Sequence, residues 1–160
     1  MAGTSNIEIE RKFLVKGNFR NEVFRSDRIV QGYLNSDPHR TVRVRVRNGK
    51  GILTIKSEAQ GTSRFEWEKE IPVADAQALL ALSEPGSIDK IRHLVKNTDG
   101  RHVWEIDEFK GDNEGLIVAE IELADTEENF DKPQWLGEEV TGDNRYYNSM
   151  LSVNPYKNWK

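Results

Sequence analysis

Val42, Val44 and Val46 alternate with Arg43, Arg45 and Arg47. Successive side chains leave a strand on opposite faces, so this segment, if extended, is apolar on one side and cationic on the other. The habit recurs along the chain. Ile7 and Ile9 oppose Glu8, Glu10 and Lys12; Phe65 and Trp67 oppose Glu66 and Glu68; Ile91 opposes Lys90 and Arg92. Trp104 and Ile106 oppose Glu105 and Asp107, and Ala119, Ile121 and Leu123 oppose Glu120 and Glu122. The signs are sorted by segment, with acids first, then an Arg run, then an acidic pair, then a basic pair, then two acidic runs. A solvated sheet face mixes Thr, Ser, Lys and Glu and has no need of such sorting. If these strands close into a barrel, either the apolar or the charged set must face inward.

Eight segments carry the period-2 pattern: near Ile7 to Val15, Arg28 to Leu34, Arg40 to Arg47, Gly51 to Ser57, Arg64 to Ile71, Ser87 to Lys96, Arg101 to Phe109 and Leu116 to Leu123. Short turns at Asn48-Gly49, Asp99-Gly100 and Gly111 to Gly115 suit antiparallel neighbours. Helices fit at Phe19 to Phe24, at Asp75 to Leu82 with Asp75 as N-cap, and at Asp143 to Leu151, while Asp125 to Pro133 reads as a connector. The expected fold is mainly β (α+β): an eight-stranded antiparallel closed barrel. Helices would cover its apolar exterior and leave the charged set to line a tunnel.

A chain of 160 residues, 36% hydrophobic, has the size of one domain, taken as 1–160. Its 23 Lys and Arg nearly cancel its 27 Asp and Glu, for a net charge of −4, which argues against a nucleic-acid binder. The absence of cysteine removes a disulfide scaffold, a thiolate metal site and a cysteine nucleophile. No segment reads as a signal peptide or a membrane span, so a cytoplasmic protein is expected, monomer or homodimer.

Opposed charged walls inside a barrel are costly unless they meet counter-charges. A polyphosphate carrying a divalent metal supplies both signs at once. Carboxylates suit Mg²⁺ or Mn²⁺, Arg forks bind phosphate bidentately, and Lys binds it as a point charge.

The stretch Ile7-Glu8-Ile9-Glu10-Arg11-Lys12-Phe13, a Glu-x-Glu-x-Lys spacing, resembles the signature of the CYTH superfamily, the triphosphate tunnel metalloenzymes. The resemblance continues in order through Arg43-x-Arg45, Lys56, Glu66-x-Glu68, Lys90-x-Arg92, Asp107, Glu120-x-Glu122 and Arg145-Tyr146. It implies an eight-stranded tunnel in which Lys12, Arg43, Arg45, Lys56 and Arg92 hold a triphosphate. Asp107, Glu120 and Glu122 would hold one metal; Glu8, Glu10 and one of Glu66 or Glu68 would hold a second. Short members beginning like this one are similar to inorganic tripolyphosphatases, which split tripolyphosphate into pyrophosphate and phosphate. Class IV-type adenylate cyclases, thiamine or nucleoside triphosphatases, and a non-catalytic polyphosphate-binding module are the alternatives.

Three further expectations concern the site. Lys90 beside Tyr33 is the candidate general-base pair, since a Lys among cations has a lowered pKa, the same pairing being suggested by the family's tripolyphosphatases; otherwise Lys90 only holds phosphate and Tyr33 only packs. The segment from Arg145 to Leu151 either closes one tunnel mouth, bringing Arg145 to the phosphates, or covers the wall. His39, His93 and His102 share no ligand spacing and read as structural or surface residues, Arg47, Arg64 and Glu70 as strand-end charges, and Trp67, Trp104 and Trp135 as apolar packing.

Overall fold

A computed structural model describes residues 7–159. Nine strands form one sheet: β1 (Ile7–Val15), β2 (Val23–Asn35), β3 (Arg40–Arg47), β4 (Lys50–Ser57), β5 (Ser63–Ile71), β6 (Ile88–Lys96), β7 (Val103–Phe109), β8 (Ile117–Glu122) and β9 (Leu136–Glu139). Their order is β5-β4-β3-β2-β6-β7-β8-β1-β9, and an extra β1–β5 pairing closes the first eight into an antiparallel barrel. β1 makes the closure by splitting its partners along its length. Ile7 to Ile9 pair with β5, and Glu10 to Leu14 pair with β8. Closing leaves no long barrel edge open to intermolecular pairing.

Helix α1 (Val73–Ala81) crosses outside β3 and β4. It approaches so closely that a Cβ on Gly51 would sit 2.7 Å from that of Ala76. One apolar cluster lies outside the barrel, where Phe13, Trp104 and Ile121 pack against Phe19 and Trp135. Trp104 meets Phe13 and Trp135 edge to face at ring separations of 5.7 and 5.5 Å. The other cluster fills one end of the barrel itself. Ile88, Phe109 and Val118 share the strand parity of Lys90, Asp107 and Glu120, and pack with Tyr146 and Leu151 from the C-terminal segment. The inward face is therefore charged over part of its length and apolar where that segment plugs it.

The strands match the alternation, with differences at their ends. β2 begins at Val23 rather than Arg28, because the polar run Arg25 to Arg28 is held by ion pairs that no hydrophobic pattern reveals. The expected helix at Phe19 to Phe24 is only a 3₁₀ turn over Arg20–Glu22. Pro72 caps α1, and Asp75 sits inside its first turn, where a carboxylate still favours the helix dipole. β9 is an additional strand, too short at four residues to show a period. The C-terminal helix is broken: a 3₁₀ turn over Asn144–Tyr146, extended backbone at Tyr147, then helix α2 (Asn148–Leu151). No described helix is long and apolar enough to cross a membrane.

The plug is seated on Gly86, at φ +91°, where a Cβ would fall within the envelope of the Ser152 carbonyl. Both the left-handed backbone and this contact with main chain require glycine. Gly86→Ala is expected to cost about 1–3 kcal/mol, lowering the melting temperature by roughly 2–12 °C. An unchanged thermal melt would count against this seating.

Candidate active site

The charged interior is a cavity of about 190 Å³. All but two of the residues that the sequence and resemblance nominate line it: Glu8, Glu10, Lys12, Tyr33, Arg43, Arg45, Lys56, Glu66, Glu68, Lys90, Arg92, Glu120 and Glu122. Arg47 and Arg64, read as strand-end charges, also reach it, as does Glu105. Glu105 shares the parity of Asp107 and could have been nominated on that ground. Thr41 and Thr54 occupy the same inward positions as the arginines and lysine beside them but carry no charge to mark them. Tyr147, Asn148 and Ser149 enter from the C-terminal segment, whose irregular backbone has no periodicity to read.

Arg145 is not brought to the cavity. It turns outward, paired to Asp143 at 2.8 Å and stacked on Tyr146 and Trp159. The break at Tyr147 puts that residue inside instead, where its ring faces Lys12 and Arg64 at 5.7 and 5.5 Å. Asp107 lies behind the lining, 1% exposed, with its oxygens taken by Lys90 at 2.6 Å and by Arg92 at 2.7 and 2.9 Å. The three histidines lie off the cavity. His93 bonds Ser26 and Glu108 on the outer wall, His102 sits between Asp99 and Glu128, and His39 is on the surface with Asp37. Trp104 and Trp135 are core residues, whereas Trp67 is exposed on the outer wall.

Within the cavity, lysines cross-link the acidic strands. Lys12 bonds Glu120 at 2.7 Å and Glu10 at 3.0 Å; Lys56 bonds Glu8 at 3.0 Å and approaches Glu66 at 3.7 Å. Burial opposes its charge, yet Glu10 and Glu120 hold the Lys12 ammonium far above its usual pKa. Elsewhere like charges crowd. Burial, then Arg43 and Arg92, push the Arg45 guanidinium well below its usual range. Burial, then Glu8, Glu105, Glu66 and Glu10, push Glu122 up to about 7. Glu66 is raised by burial and Glu8 in the same way. Arg43 Nε is buried without a hydrogen-bond partner. Such an orphaned donor costs free energy unless a ligand meets it.

Burial, with Arg92 and Arg45, lowers the Lys90 ammonium to about 7, while Asp107 acts against them. Tyr33 moves the other way: burial raises its phenol, so it keeps its proton at neutral pH. No hydrogen bond joins Lys90 to Tyr33 among the described residues. The register explains this, since Lys90 lies opposite Ile29 and Tyr33 lies four residues further along β2. The two candidate residues thus line the same cavity without a direct hydrogen bond between them.

Among the described residues no three carboxylates converge closely enough to coordinate an ion. Glu8, Glu10 and Glu120 are instead turned onto lysines. The donor set nevertheless fits a hard divalent cation. It is all oxygen, and the mutual repulsion that raises Glu122 and Glu66 is what a cation relieves.

A closed antiparallel barrel with sorted internal charges defines the class, and comparison with known families agrees: the CYTH domain matches residues 6–153, and the chain belongs to that family. It is 49% identical over 154 residues to the inorganic triphosphatase of Acetivibrio thermocellus, covering 96% of this chain and 97% of that one. It is 37% identical over 150 residues to the inorganic triphosphatase of Nitrosomonas europaea, covering 91% and 97%. The crystal structure of the inorganic triphosphatase NE1496 superposes with a TM-score of 0.67 at 34% identity, over 91% of this chain and 94% of that one. The PH1012 protein of Pyrococcus horikoshii, at 20% identity and a TM-score of 0.56 over 75% of this chain and 81% of that one, shares the fold.

Proposed function

We propose that the chain is a metal-dependent inorganic triphosphatase that hydrolyses tripolyphosphate to pyrophosphate and phosphate inside the barrel. The observation that carries this reading is the double crowding of the cavity, with Arg43, Arg45 and Arg92 repelling one another and Glu8, Glu66 and Glu122 doing the same. A bare polyanion with its divalent cation relieves both at once. The relatives named inorganic triphosphatase support the same substrate class.

In this reading Arg43, Arg45 and Arg92 take the phosphate oxygens, and the free Arg43 Nε supplies a donor already desolvated. Lys12 and Lys56 bridge acids and phosphates. Glu8, Glu10, Glu66, Glu68, Glu120 and Glu122 are the carboxylates available to Mg²⁺ or Mn²⁺. The bound cation would neutralise phosphate oxygens and lower the pKa of the attacking water. Asp107, sealed between Lys90 and Arg92, serves as their counter-ion rather than as a metal ligand. Lys90, lowered to about 7, can take the proton of a water attacking the terminal phosphorus as the bridging P–O bond breaks. Tyr33, still protonated, acts as a hydrogen-bonding group at the wall. A cytoplasmic location belongs to this reading, and a chain without cysteine is compatible with it.

Purified protein with Mg²⁺ or Mn²⁺ is expected to release one phosphate per tripolyphosphate and to stop when EDTA is added. Release that survives EDTA would remove the metal from the scheme. Cyclic nucleotide from ATP as the main product would replace hydrolysis with cyclisation, and tight tripolyphosphate binding without turnover would leave only a binding module.

A further inference from the structure

Lys90 owes its aim to a relay of two amides that no charge pattern announces. Arg45 Nε donates to Gln31 Oε1 at 2.8 Å, Gln31 Nε2 donates to Asn148 Oδ1 at 3.0 Å, and Lys90 Nζ donates to the same Asn148 oxygen at 2.8 Å. The polarity of this chain is forced. A guanidinium can only donate, so Gln31 must present its oxygen to Arg45 and its NH₂ to Asn148. Asn148 must then present oxygen, which is what the Lys90 ammonium requires. Gln31 is fully buried, so water has no room to replace Asn148 as the partner of its NH₂.

Two of the three Lys90 donor directions are thus fixed, one on Asp107 Oδ2 at 2.6 Å and one on Asn148. The third is left for the cavity that Lys90 lines. Asn148 is itself held in place by the plug. It opens α2, whose Leu151 is fully buried in the apolar end of the barrel. The Arg45 and Lys90 cations are held apart by neutral dipoles rather than left to face each other.

We propose that Asn148 and Gln31 are positioning residues for Lys90, coupling the C-terminal plug to the reacting end of the substrate. This rests on the triphosphatase reading and deepens it. Misplacing a reacting group by an ångström can cost as much as about 100-fold in rate. Asn148→Leu keeps the volume and removes the acceptor. Gln31→Glu keeps the shape and the Arg45 bond but cannot donate, so Asn148 must turn its NH₂ toward Glu and its oxygen away from Lys90.

The test measures kcat and KM for tripolyphosphate with saturating Mg²⁺, beside the wild type and Lys90→Met. Both relay variants are expected to lose at least about tenfold in kcat with KM within about threefold, while remaining folded at the assay temperature by their melting curves. Asn148→Asp, which still accepts from both neighbours but whose charge raises the Lys90 pKa, is expected to regain at least about a third of wild-type kcat only when the assay pH is raised. Wild-type kcat in Asn148→Leu or Gln31→Glu, alongside an inactive Lys90→Met, would overturn the relay while sparing the triphosphatase reading. An Asn148→Asp variant as impaired as the Leu variant at every pH would reduce Asn148 to packing and equally overturn it. An inactive wild type would sink the underlying reading instead.

Discussion

Asp107→Asn is expected to cost about 3 kcal/mol of stability in the metal-free protein, the lower end of the 3–5 kcal/mol found when one partner of a buried ion pair is removed. Asp107 is 1% exposed, and Lys90 and Arg92 both donate to it from an equally dry site. Asn would accept one of those bonds but offer no charge. The cost stays at the lower end because Lys90, already lowered to about 7, can give up its proton, whereas Arg92 cannot. For a chain of 160 residues this corresponds to a fall in melting temperature of roughly 6–12 °C.

The pH dependence has a definite sign. Arg92 and Lys90 outweigh burial and hold the Asp107 carboxyl far below its ordinary value. A depressed acid contributes fully above its unfolded pKa, about 3.9, and the contribution is lost as pH falls from there toward the folded value. The wild type should therefore lose stability steeply below about pH 4, and Asp107→Asn should show a shallower acid limb. Melting both proteins in EDTA across that range separates the two roles available to Asp107. A metal ligand would leave the metal-free melt nearly unchanged, whereas a counter-ion lowers it; equal melts would return Asp107 to the metal set.

That ambiguity shows how far sequence could reach. Alternation places Asp107 on the inward face beside Glu105, and parity is correct for both. Depth along the barrel is a different coordinate. It depends on the stagger between strands, which sets Asp107 opposite Arg92 while Glu105, 40% exposed at its side chain, reaches the open cavity. The same distinction separates Lys90 from Tyr33, both inward yet displaced along the axis. Charges that face inward could be read because they break the usual mixture of a solvated strand. Gln31, Thr54 and Asn148 could not, since neutral polar residues are common in any strand or turn and acquire meaning only through partners distant in sequence. Arg145 failed for a related reason: a helical reading of the last segment hid the break at Tyr147 that turns Arg145 out and Asn148 in.

Glu122→Gln is expected to do the opposite of Asp107→Asn, stabilising the metal-free protein while lowering kcat for tripolyphosphate about 100-fold or more. Glu122 is raised to about 7 by burial and by four neighbouring carboxylates, so its ionised form destabilises the fold. An acid with a raised folded pKa binds its proton more tightly in the native state, so stability falls as pH rises from the unfolded value of about 4.3 toward 7. The full shift overstates the free energy, because the residue is exposed enough for water to screen it. A gain of about 1 kcal/mol above pH 7 is the expected size, vanishing below about pH 4. Saturating Mg²⁺ should invert the order: the cation stabilises the wild type by mass action and has one carboxylate fewer to hold it in the variant. The decisive measurement is a pair of melts at pH 8, in EDTA and in Mg²⁺, beside a phosphate-release assay. A variant less stable than the wild type in EDTA, or one with undiminished turnover, would show that the acidic wall is not a cation site held in waiting by its own repulsion.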